Sequence, residues 1–293
     1  MFCTGLLGCL GKSDRSLPPE RQLVPVNRDH LNRYRGGRRI LIANGWYLHN
    51  RSNWPPAPEL DPVFVSFHMA DAWQPGDEAL AYLRRHAPIG CRDLSTVRRL
   101  QAYGVDAYFT GCLSLTLTNP FSAEARTGPV VLCDADLGYD GGYPPSARSM
   151  VQRLIPSRVL EGATVVEQEC AERYRNDYRW KTRRAMAQLE LLARARLVIT
   201  TRLHCALPCR ALGTPVILLH QNYHNDSRFD GLRDALQGYG PDTQKIEIDW
   251  DNPWPIDITP FRERITAATI TALEVKLGKI TATGAMMAER TIS

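Results

Sequence analysis

The sequence predicts an α/β protein made of two halves, each a parallel sheet with helices on its faces. The first observation is a series of short apolar runs, rich in β-branched residues and bounded by turn residues, which is typical of strands buried on both sides. The second is that these runs alternate with helical segments, as in parallel βα units. The third is a polar, turn-rich stretch at residues 118–128 that separates two such series. We therefore expect two Rossmann-like halves that face each other across a cleft.

The first half, predicted as residues 1–124, begins with a polar, proline-containing segment at 1–36 that matches no regular element. Beyond it, apolar runs and helical periodicity mark four strands and two helices. The predicted strands are RRILIAN (38–44), VFVSFH (63–68), APIGC (87–91) and VDAYFTG (105–111), and the predicted helices are 78–86 and 94–103. Asp93 directly precedes the second helix and is expected to be its N-cap.

The second half, predicted as residues 125–257, repeats this alternation of strands and helices. The predicted strands are PVVLCDAD (129–136), ATVVEQE (163–169), RLVIT (196–200) and PVILL (215–219), the predicted helices are 170–194 and 203–212, and residues 227–240 are predicted to form a loop and a helix. Gly213 is expected to end the helix at 203–212. A last helix at 258–278 opens the C-terminal segment, residues 258–293.

Charge and hydropathy narrow the possible partners. The 293-residue chain has a net charge of +5 and a sequence pI of about 8.8, spread along the chain, which favours anionic ligands. Basic runs interleaved with aromatic residues are missing, so a nucleic-acid partner is not expected. The apolar start MFCTGLLGCLGK is too short to span a membrane, and no other apolar run approaches about 18 residues. We expect a cytoplasmic protein without an integral membrane segment, able to associate with the inner face of the membrane.

The eight cysteines are irregularly spaced, and most lie inside apolar runs. Reduced thiols in the core of a cytosolic protein are the expected state. Cys205 and Cys209 are one helical turn apart and close to His204, so a shared metal ion is an alternative to two small buried residues. The buried residues are the simpler interpretation, and the absence of a CxxC pair argues against structural zinc.

The stretch ITTRLHCALPCRALGTPVILL, residues 199–219, places Arg202 and His204 between two apolar runs. Both residues are expected where a strand ends and a helix begins, with Leu203 as the first helical residue. In an open parallel sheet this edge is where ligands bind. A helix N-terminus beside a cation is a ready anion site, so the stretch predicts binding of an anion.

The segment IGCRD, residues 89–93, has the same design in the other half: a strand end, Arg92, and a helix N-cap. If the halves face each other, Arg92 and Arg202 point into one cleft. Two arginines can each bind a carboxylate or a phosphate through a forked pair of hydrogen bonds. A small ligand that carries both groups fits this arrangement, and surface ion pairs are the alternative for each arginine.

Four further residues are candidates for the same site. His204, two residues from Arg202, is interpreted as catalytic in preference to a structural histidine. His68 ends the strand at 63–68, on the same predicted edge of the first half, and Asn44 ends the strand at 38–44. Asp93 is a candidate base, although a helix N-cap is its better interpretation.

A competing pattern is Asp134 and Asp136, which follow the apolar run PVVLC. Paired carboxylates there can hold Mg²⁺ or Mn²⁺ on the diphosphate of a nucleotide sugar. Asp-x-Asp is a weak pattern, and two solvated loop carboxylates are the simpler interpretation.

Several common motifs are missing. GLLGCLGK lacks both the spacing of a phosphate-binding loop and a preceding strand. The chain has no GxGxxG, GxSxG or HExxH, so NAD binding, serine hydrolysis and zinc proteolysis have no support.

The segments 88–117 and 193–219 resemble the polysaccharide pyruvyl transferase family, and RRILIANGWYLHN (38–50) and NWPP (53–56) match a common branch of it. The resemblance covers about residues 25–235, and its specific feature is Ile-Gly-x-Arg-Asp followed about 110 residues later by Thr-x-Arg-Leu-His. It implies two Rossmann-like domains similar to GT-B glycosyltransferases, phosphoenolpyruvate as donor, and a sugar as acceptor. It also implies a donor site of Arg92, Arg202 and His204, with the backbone around Leu203 close by.

The chemistry of pyruvyl transfer agrees with the residue types at this predicted donor site. Making a ketal from phosphoenolpyruvate requires protonation of its methylene carbon, for which His204 is the expected general acid. The two arginines are expected to hold the anionic groups and to stabilise the leaving phosphate. Phosphoenolpyruvate acts as a co-substrate, and no metal or other cofactor is required. The acceptor, a sugar or lipid-linked oligosaccharide, the general base and the oligomeric state are not identified.

One departure concerns the start of the chain. Members of the family usually begin with a strand and an Asn-x-Gly-Asp type segment that opens a helix, and no such segment precedes Asn44. We expect the first half to be shortened, or this unit to be replaced by MFCTGLLGCLGKSDRS, with an altered acceptor side. Two other functions stay open: a GT-B-like nucleotide-sugar glycosyltransferase, suggested by the two-half layout with Asp134 and Asp136, and a non-catalytic relative that binds anions or glycans, suggested by the missing segment.

Overall fold

The computed structural model describes residues 25–47, 51–70, 73–120, 126–135, 154–240, 243, 248–251, 253 and 256–278. These residues form two compact units. The first unit contains the described residues up to Leu113 together with those from Thr259 onward, and the second contains those from Ser114 to Ile258. Most of the atypical segment predicted at 1–36 lies outside the described residues.

The first unit is built on a four-stranded parallel sheet in the order β1-β2-β3-β4. Its strands are β1 (Arg39–Tyr47), β2 (Leu60–Met69), β3 (Ile89–Cys91) and β4 (Ala107–Phe109). All four predicted strands are confirmed. Helices α1 (Asp77–Arg85) and α2 (Leu94–Ala102) connect them and bury one apolar face each, as the helical periodicity predicts.

The second unit contains a five-stranded parallel sheet in the order β6-β5-β7-β8-β9. Its strands are β5 (Val130–Cys133), β6 (Thr164–Val166), β7 (Leu197–Thr200), β8 (Val216–Leu219) and β9 (Gly238–Tyr239). Every residue of β5, β7 and β8 is buried, which is why these strands appear in the sequence as continuous apolar runs. The α/β class with parallel sheets is thereby confirmed, while the facing of the two halves across a cleft stays a prediction.

The helices of the second unit are α3 (Ser157–Leu160), α4 (Tyr178–Arg194) and α5 (Leu203–Leu212). The prediction for α5 is confirmed at both ends. Gly213 follows it at φ 72°, a left-handed conformation that glycine adopts without strain and that ends the helix.

Two predictions in this unit are wrong in their details. The long helix predicted from residue 170 begins only at Tyr178, because Asp177 caps it by accepting a hydrogen bond from the Trp180 N–H at 2.9 Å. The helix predicted within 227–240 is replaced by two short 3₁₀ turns and β9. Gly231, at φ 80°, lies between those turns and interrupts any longer helix.

The last helix, α6 (Thr259–Lys276), belongs to the first unit and packs against β2. Its buried residues include Ile265 and Ala268. The Lys276 ammonium donates a hydrogen bond to Asp61 near the start of β2, which ties the end of the helix to the sheet. Within the described part of the chain, no helix is both long and apolar enough to cross a membrane.

The tight packing of β3 makes Gly90 sensitive to substitution. A Cβ atom at Gly90 would lie 2.6 Å from the Phe64 carbonyl oxygen and 2.8 Å from Thr110 Cγ2. We expect Gly90→Ala to lower the free energy of unfolding by about 1–3 kcal/mol, measured by urea denaturation, because backbone must move to make room. Gly37→Ala is the matched control, since its Cβ would meet one arginine atom at 3.7 Å. Equal stability of the two variants would contradict this packing.

Candidate active site

At the second sheet, Arg202 lies where predicted, after the end of β7 and as the N-cap of α5. Its side chain turns to Asp134, and Nε donates a hydrogen bond to Asp134 Oδ2 at 2.9 Å. The Arg202 side chain is 32% exposed, whereas the Asp134 side chain is fully buried. A buried carboxylate therefore fixes the direction of a partly exposed guanidinium at the start of a helix.

Asp134 accepts hydrogen bonds from two further residues besides Arg202. Its Oδ1 accepts a hydrogen bond from the Gln168 N–H at 3.0 Å, and its carbonyl oxygen accepts one from the Thr201 hydroxyl at 2.8 Å. Its backbone has φ 48°, a strained value for a residue with a side chain. Both carboxylate oxygens of Asp134 thus accept hydrogen bonds from N–H donors, one of them from Arg202.

The predicted metal interpretations gain no support from the described residues. Asp136 lies outside them, so its pairing with Asp134 stays a prediction. Among the described residues, no group of three or more His, Cys, Asp or Glu side chains is placed to hold a metal ion. His204, Cys205 and Cys209 therefore do not form such a group.

The first turn of α5 departs from regular helical geometry at His204, which has φ −82° and ψ 15°. Pro208 explains this departure, because its ring nitrogen has no N–H to bond the carbonyl oxygen four residues earlier. Leu203 is buried and His204 is half-buried. The N–H groups of a first helical turn lack intrahelical acceptors and attract anions, so Arg202, the Leu203 backbone and His204 lie together at a helix N-terminus suited to an anion.

At the first sheet, Arg92 directly follows β3, and its own N–H donates to the Phe67 carbonyl oxygen at 2.9 Å. The residue is only 2% exposed. Within the described residues, its Nε and Nη2 atoms make no hydrogen bond, although Nη2 lies 3.4 Å from Asp93 Oδ2. Buried donors without acceptors are costly and rare, so this guanidinium is suited to an anionic ligand that supplies the acceptors.

Beside Arg92, His68 and Asp93 form a close buried pair. His68 Nδ1 and Asp93 Oδ2 are 2.7 Å apart, and their side chains are 6% and 0% exposed. Asp93 is also the N-cap of α2, as predicted, because its Oδ1 accepts hydrogen bonds from the Thr96 N–H at 2.9 Å and the Thr96 hydroxyl at 2.8 Å. Burial by itself raises the pKa of Asp93, but the His68 hydrogen bond, the Arg92 guanidinium and the Thr96 N–H together hold the pKa below its ordinary value.

Asn44 lies inside β1, three residues before its end, and is 5% exposed. Its Oδ1 accepts no hydrogen bond from any described residue. The pairing of β1 with β2 shifts register at this point, and Ser66 of β2 has φ 53°. The Ser66 N–H donates to Thr110 Oγ1 at 3.1 Å, which holds the irregular strand in place. The first sheet therefore carries four candidate residues at or near the carboxyl ends of its strands: Asn44, His68, Arg92 and Asp93.

Removing the charge of Asp93 is expected to make the free energy of unfolding less dependent on pH. Because the pKa of Asp93 is lower in the folded protein, its ionised form stabilises the fold above its unfolded pKa of about 3.9, and this contribution is lost as pH falls through the folded pKa. We expect Asp93→Asn, which keeps an N-cap, to be less stable than wild type at pH 7 by about 1–3 kcal/mol. Urea denaturation at pH 7 and below pH 4 should show that this difference shrinks in acid. A difference that stays constant with pH would contradict the assigned ionisation.

The described cysteines are free thiols in the structure, and their redox state stays a prediction. None of Cys91, Cys112, Cys133, Cys170, Cys205 and Cys209 forms a disulfide. Burial raises the pKa of the Cys91 thiol, which disfavours the reactive thiolate. The two remaining cysteines, Cys3 and Cys9, lie outside the described residues.

The arginines and histidines were predicted at the strand ends, but their contacts were not. The pairing of Asp134 with Arg202, the pairing of His68 with Asp93 and the hydrogen bonds from Thr96 to Asp93 were missed, as was the irregular turn that Pro208 causes at His204. The pairing of Asp134 with Arg202 had a signal, because each comes after an apolar run of the sequence and the two runs prove to be neighbouring strands.

The comparison with known proteins identifies a family whose model matches this chain. The family model for polysaccharide pyruvyl transferase matches residues 29–222, which includes every described candidate residue of both sheet edges. A search of curated proteins found no match. The chain belongs to the polysaccharide pyruvyl transferase family and is a transferase.

Proposed function

We propose that the protein transfers the pyruvyl group of phosphoenolpyruvate, as a ketal, to a sugar of a cell-surface polysaccharide or its precursor. The observation that carries this proposal is Arg202, held by Asp134 at the N-terminus of α5 and followed two residues later by His204. Family membership supplies the reaction class, and this set of groups matches what an anionic enol donor requires.

The donor carries a phosphate and a carboxylate on a small enol, and two arginines are available to bind them. Arg202 is proposed to bind one anionic group together with the Leu203 N–H at the start of α5. Arg92, whose buried guanidinium has Nε without an acceptor among the described residues, is proposed to bind the other. The role of both arginines toward one donor molecule is a prediction that single variants can test.

His204 is proposed as the general acid. It would protonate the methylene carbon, which makes the neighbouring enol carbon cationic and open to attack by a sugar hydroxyl. Loss of phosphate, with the electron pair of its C–O bond, then allows a second hydroxyl to complete the ketal. Charge that develops on the departing phosphate is stabilised by the arginines and the helix N-terminus. The proposed chemistry uses phosphoenolpyruvate as a co-substrate and calls for no metal or other cofactor.

The acceptor is proposed to be a sugar or a lipid-linked oligosaccharide. A lipid-linked acceptor would bring the protein to the inner face of the membrane, where we propose that a cytoplasmic enzyme meets its substrate. The acceptor sugar itself is left to experiment.

Thermal unfolding with candidate donors tests the proposal. A ligand present at 100 times its dissociation constant stabilises the folded protein by about 2.7 kcal/mol, which gives a clear rise in melting temperature. We expect this rise with phosphoenolpyruvate and not with UDP, GDP or CMP, with or without Mn²⁺. A rise confined to a nucleotide with Mn²⁺ would instead favour glycosyl transfer and a role for Asp134 and Asp136.

A further inference from the structure

The His68–Asp93 pair offers a group that the proposed reaction still lacks, a base for the acceptor hydroxyl. His68 is the last residue but one of β2, and Arg92 follows the end of the neighbouring strand β3. The two strands pair at Phe67 and Cys91, so His68 at the end of β2 and Arg92 just after β3 lie at the same edge of the sheet. An imidazole bound to a carboxylate at this position is suited to proton transfer next to a bound anion.

We propose that His68 is the general base that takes the proton of the acceptor hydroxyl, and that Asp93 is the residue that positions it. This inference rests on the proposed function. His68 is proposed to act on the acceptor sugar, whereas Arg92, Arg202 and His204 are proposed to act on phosphoenolpyruvate.

The geometry fixes which ring nitrogen is basic. Asp93 Oδ2 lies 2.7 Å from His68 Nδ1, and the other carboxylate oxygen is held by two hydrogen bonds from Thr96. The Thr96 hydroxyl oxygen also lies 3.3 Å from His68 Nδ1. An ionised Asp93 accepts only, so in the neutral ring the proton is on Nδ1 and the lone pair is on Nε2. The carboxylate also stabilises the imidazolium that forms when Nε2 takes a proton.

Two neighbouring charged residues have opposite effects on the His68 ring. Asp93 favours the protonated ring, while Arg92, with Nη2 3.4 Å from the same carboxylate, opposes it. Arg99 of α2 donates to the Met69 carbonyl oxygen at 3.1 Å, and Cys91 of β3 is a buried thiol. On the other side, β1 places the uncharged Trp46 opposite His68. His68 therefore has a carboxylate beside Nδ1, which stabilises the protonated ring.

The acceptor oxygen forms a bond to the cationic enol carbon while its proton passes to His68 Nε2. After the bond between that carbon and the phosphate oxygen breaks, the second hydroxyl oxygen takes the vacated position and releases its own proton. Of the two hydroxyl protons, one replaces the proton that His204 gave to the methylene carbon, and the other leaves with phosphate. No oxidant or reductant is needed.

Two variants and one control separate proton transfer from structure. His68→Gln removes the base, and Asp93→Asn removes the carboxylate charge but keeps an N-cap for α2. His86→Gln is the matched control, because His86 Nδ1 lies 3.9 Å from Asp61 Oδ1 in the same unit but away from the site edge.

The first measurement is turnover, followed as phosphate release from phosphoenolpyruvate with methyl glycosides of glucose, galactose, mannose and their N-acetylated forms. We expect His68→Gln to lower kcat by about 100-fold or more with nearly unchanged phosphoenolpyruvate affinity, and His86→Gln to match wild type. In Asp93→Asn, the rise of activity with pH should move to lower pH, since the imidazolium has lost its carboxylate. A His68→Gln enzyme with wild-type kcat, or one that loses donor affinity in proportion, would overturn the proposal.

The second measurement needs no acceptor. Long-range nitrogen–proton NMR spectra of histidine-labelled protein, with the His68 signals assigned by their loss in His68→Gln, report the tautomer directly. We expect the Nδ1–H form of His68 at neutral pH, and the Nε2–H form would overturn the proposal. Failure of wild type to bind phosphoenolpyruvate would count against the proposed function alone, whereas normal binding with the wrong tautomer would count against His68 alone.

Discussion

Replacing Arg202 with methionine is expected to weaken phosphoenolpyruvate binding by roughly 30- to 5,000-fold, which corresponds to the loss of about 2–5 kcal/mol for a truncated charged contact. The guanidinium is the charged group at the N-terminus of α5, and Asp134 fixes its direction through Nε. A methionine has similar length but neither the charge nor the N–H donors. Titration calorimetry of phosphoenolpyruvate into the two proteins measures the change.

The control must account for Asp134, because Arg202→Met leaves a buried carboxylate without its cation. In Asp134→Asn the amide oxygen can still accept the Gln168 N–H, and the buried charge is gone. The informative comparison is therefore between Asp134→Asn and the double variant Asp134→Asn/Arg202→Met, which differ only in the arginine. Equal affinity of these two proteins for phosphoenolpyruvate would contradict the role of Arg202.

Replacing His204 with glutamine is expected to lower kcat by about 10²- to 10⁴-fold, the usual contribution of a general acid. Affinity for phosphoenolpyruvate should change little, because Arg202 and the helix N-terminus are intact. An acid is active while protonated, so wild-type activity should fall on the alkaline side of its pH profile, and this fall should disappear in His204→Gln. Phosphate release at several pH values, with the methyl glycosides as acceptors, measures both effects.

A different outcome would assign His204 another role. If His204→Gln kept its kcat and raised KM instead, His204 would bind the donor and another group would supply the proton. Thermal unfolding of the variant without ligand is the control for folding, since His204 is half-buried in a turn already made irregular by Pro208.

Much of the fold was predictable because the strands are buried on both faces. The runs at β5, β7 and β8 contain no charged residue and are apolar except for Thr200 at the end of β7, and turn residues mark their ends. The error at the start of α4 has a local cause. The periodic pattern extends back to residue 170, but the Asp177 side chain caps the helix later and a separate 3₁₀ turn at Glu172–Tyr174 precedes it.

The candidate site was predictable as a set of positions but not as a set of contacts. Arg92 and Arg202 each come after a strand of a different parallel sheet, and each sheet collects such residues at its own carboxyl-terminal edge. Asp134 and Arg202, however, are 68 residues apart in the chain, and His68 and Asp93 are 25 apart. Their pairing depends on which strands are neighbours and on the exposure of each side chain, and neither follows from spacing in the sequence.

Pyruvyl transfer is tested most directly by a single reaction that contains phosphoenolpyruvate labelled with carbon-13 at C2, a mixture of UDP-sugars with Mn²⁺, and the methyl glycosides. Carbon-13 NMR follows the labelled carbon, and phosphate and UDP are measured in the same sample. We predict that the labelled carbon becomes a ketal carbon on a sugar, with an equal amount of phosphate released and the UDP-sugars unchanged. Release of UDP with phosphoenolpyruvate left intact would contradict pyruvyl transfer and identify the protein as a glycosyltransferase.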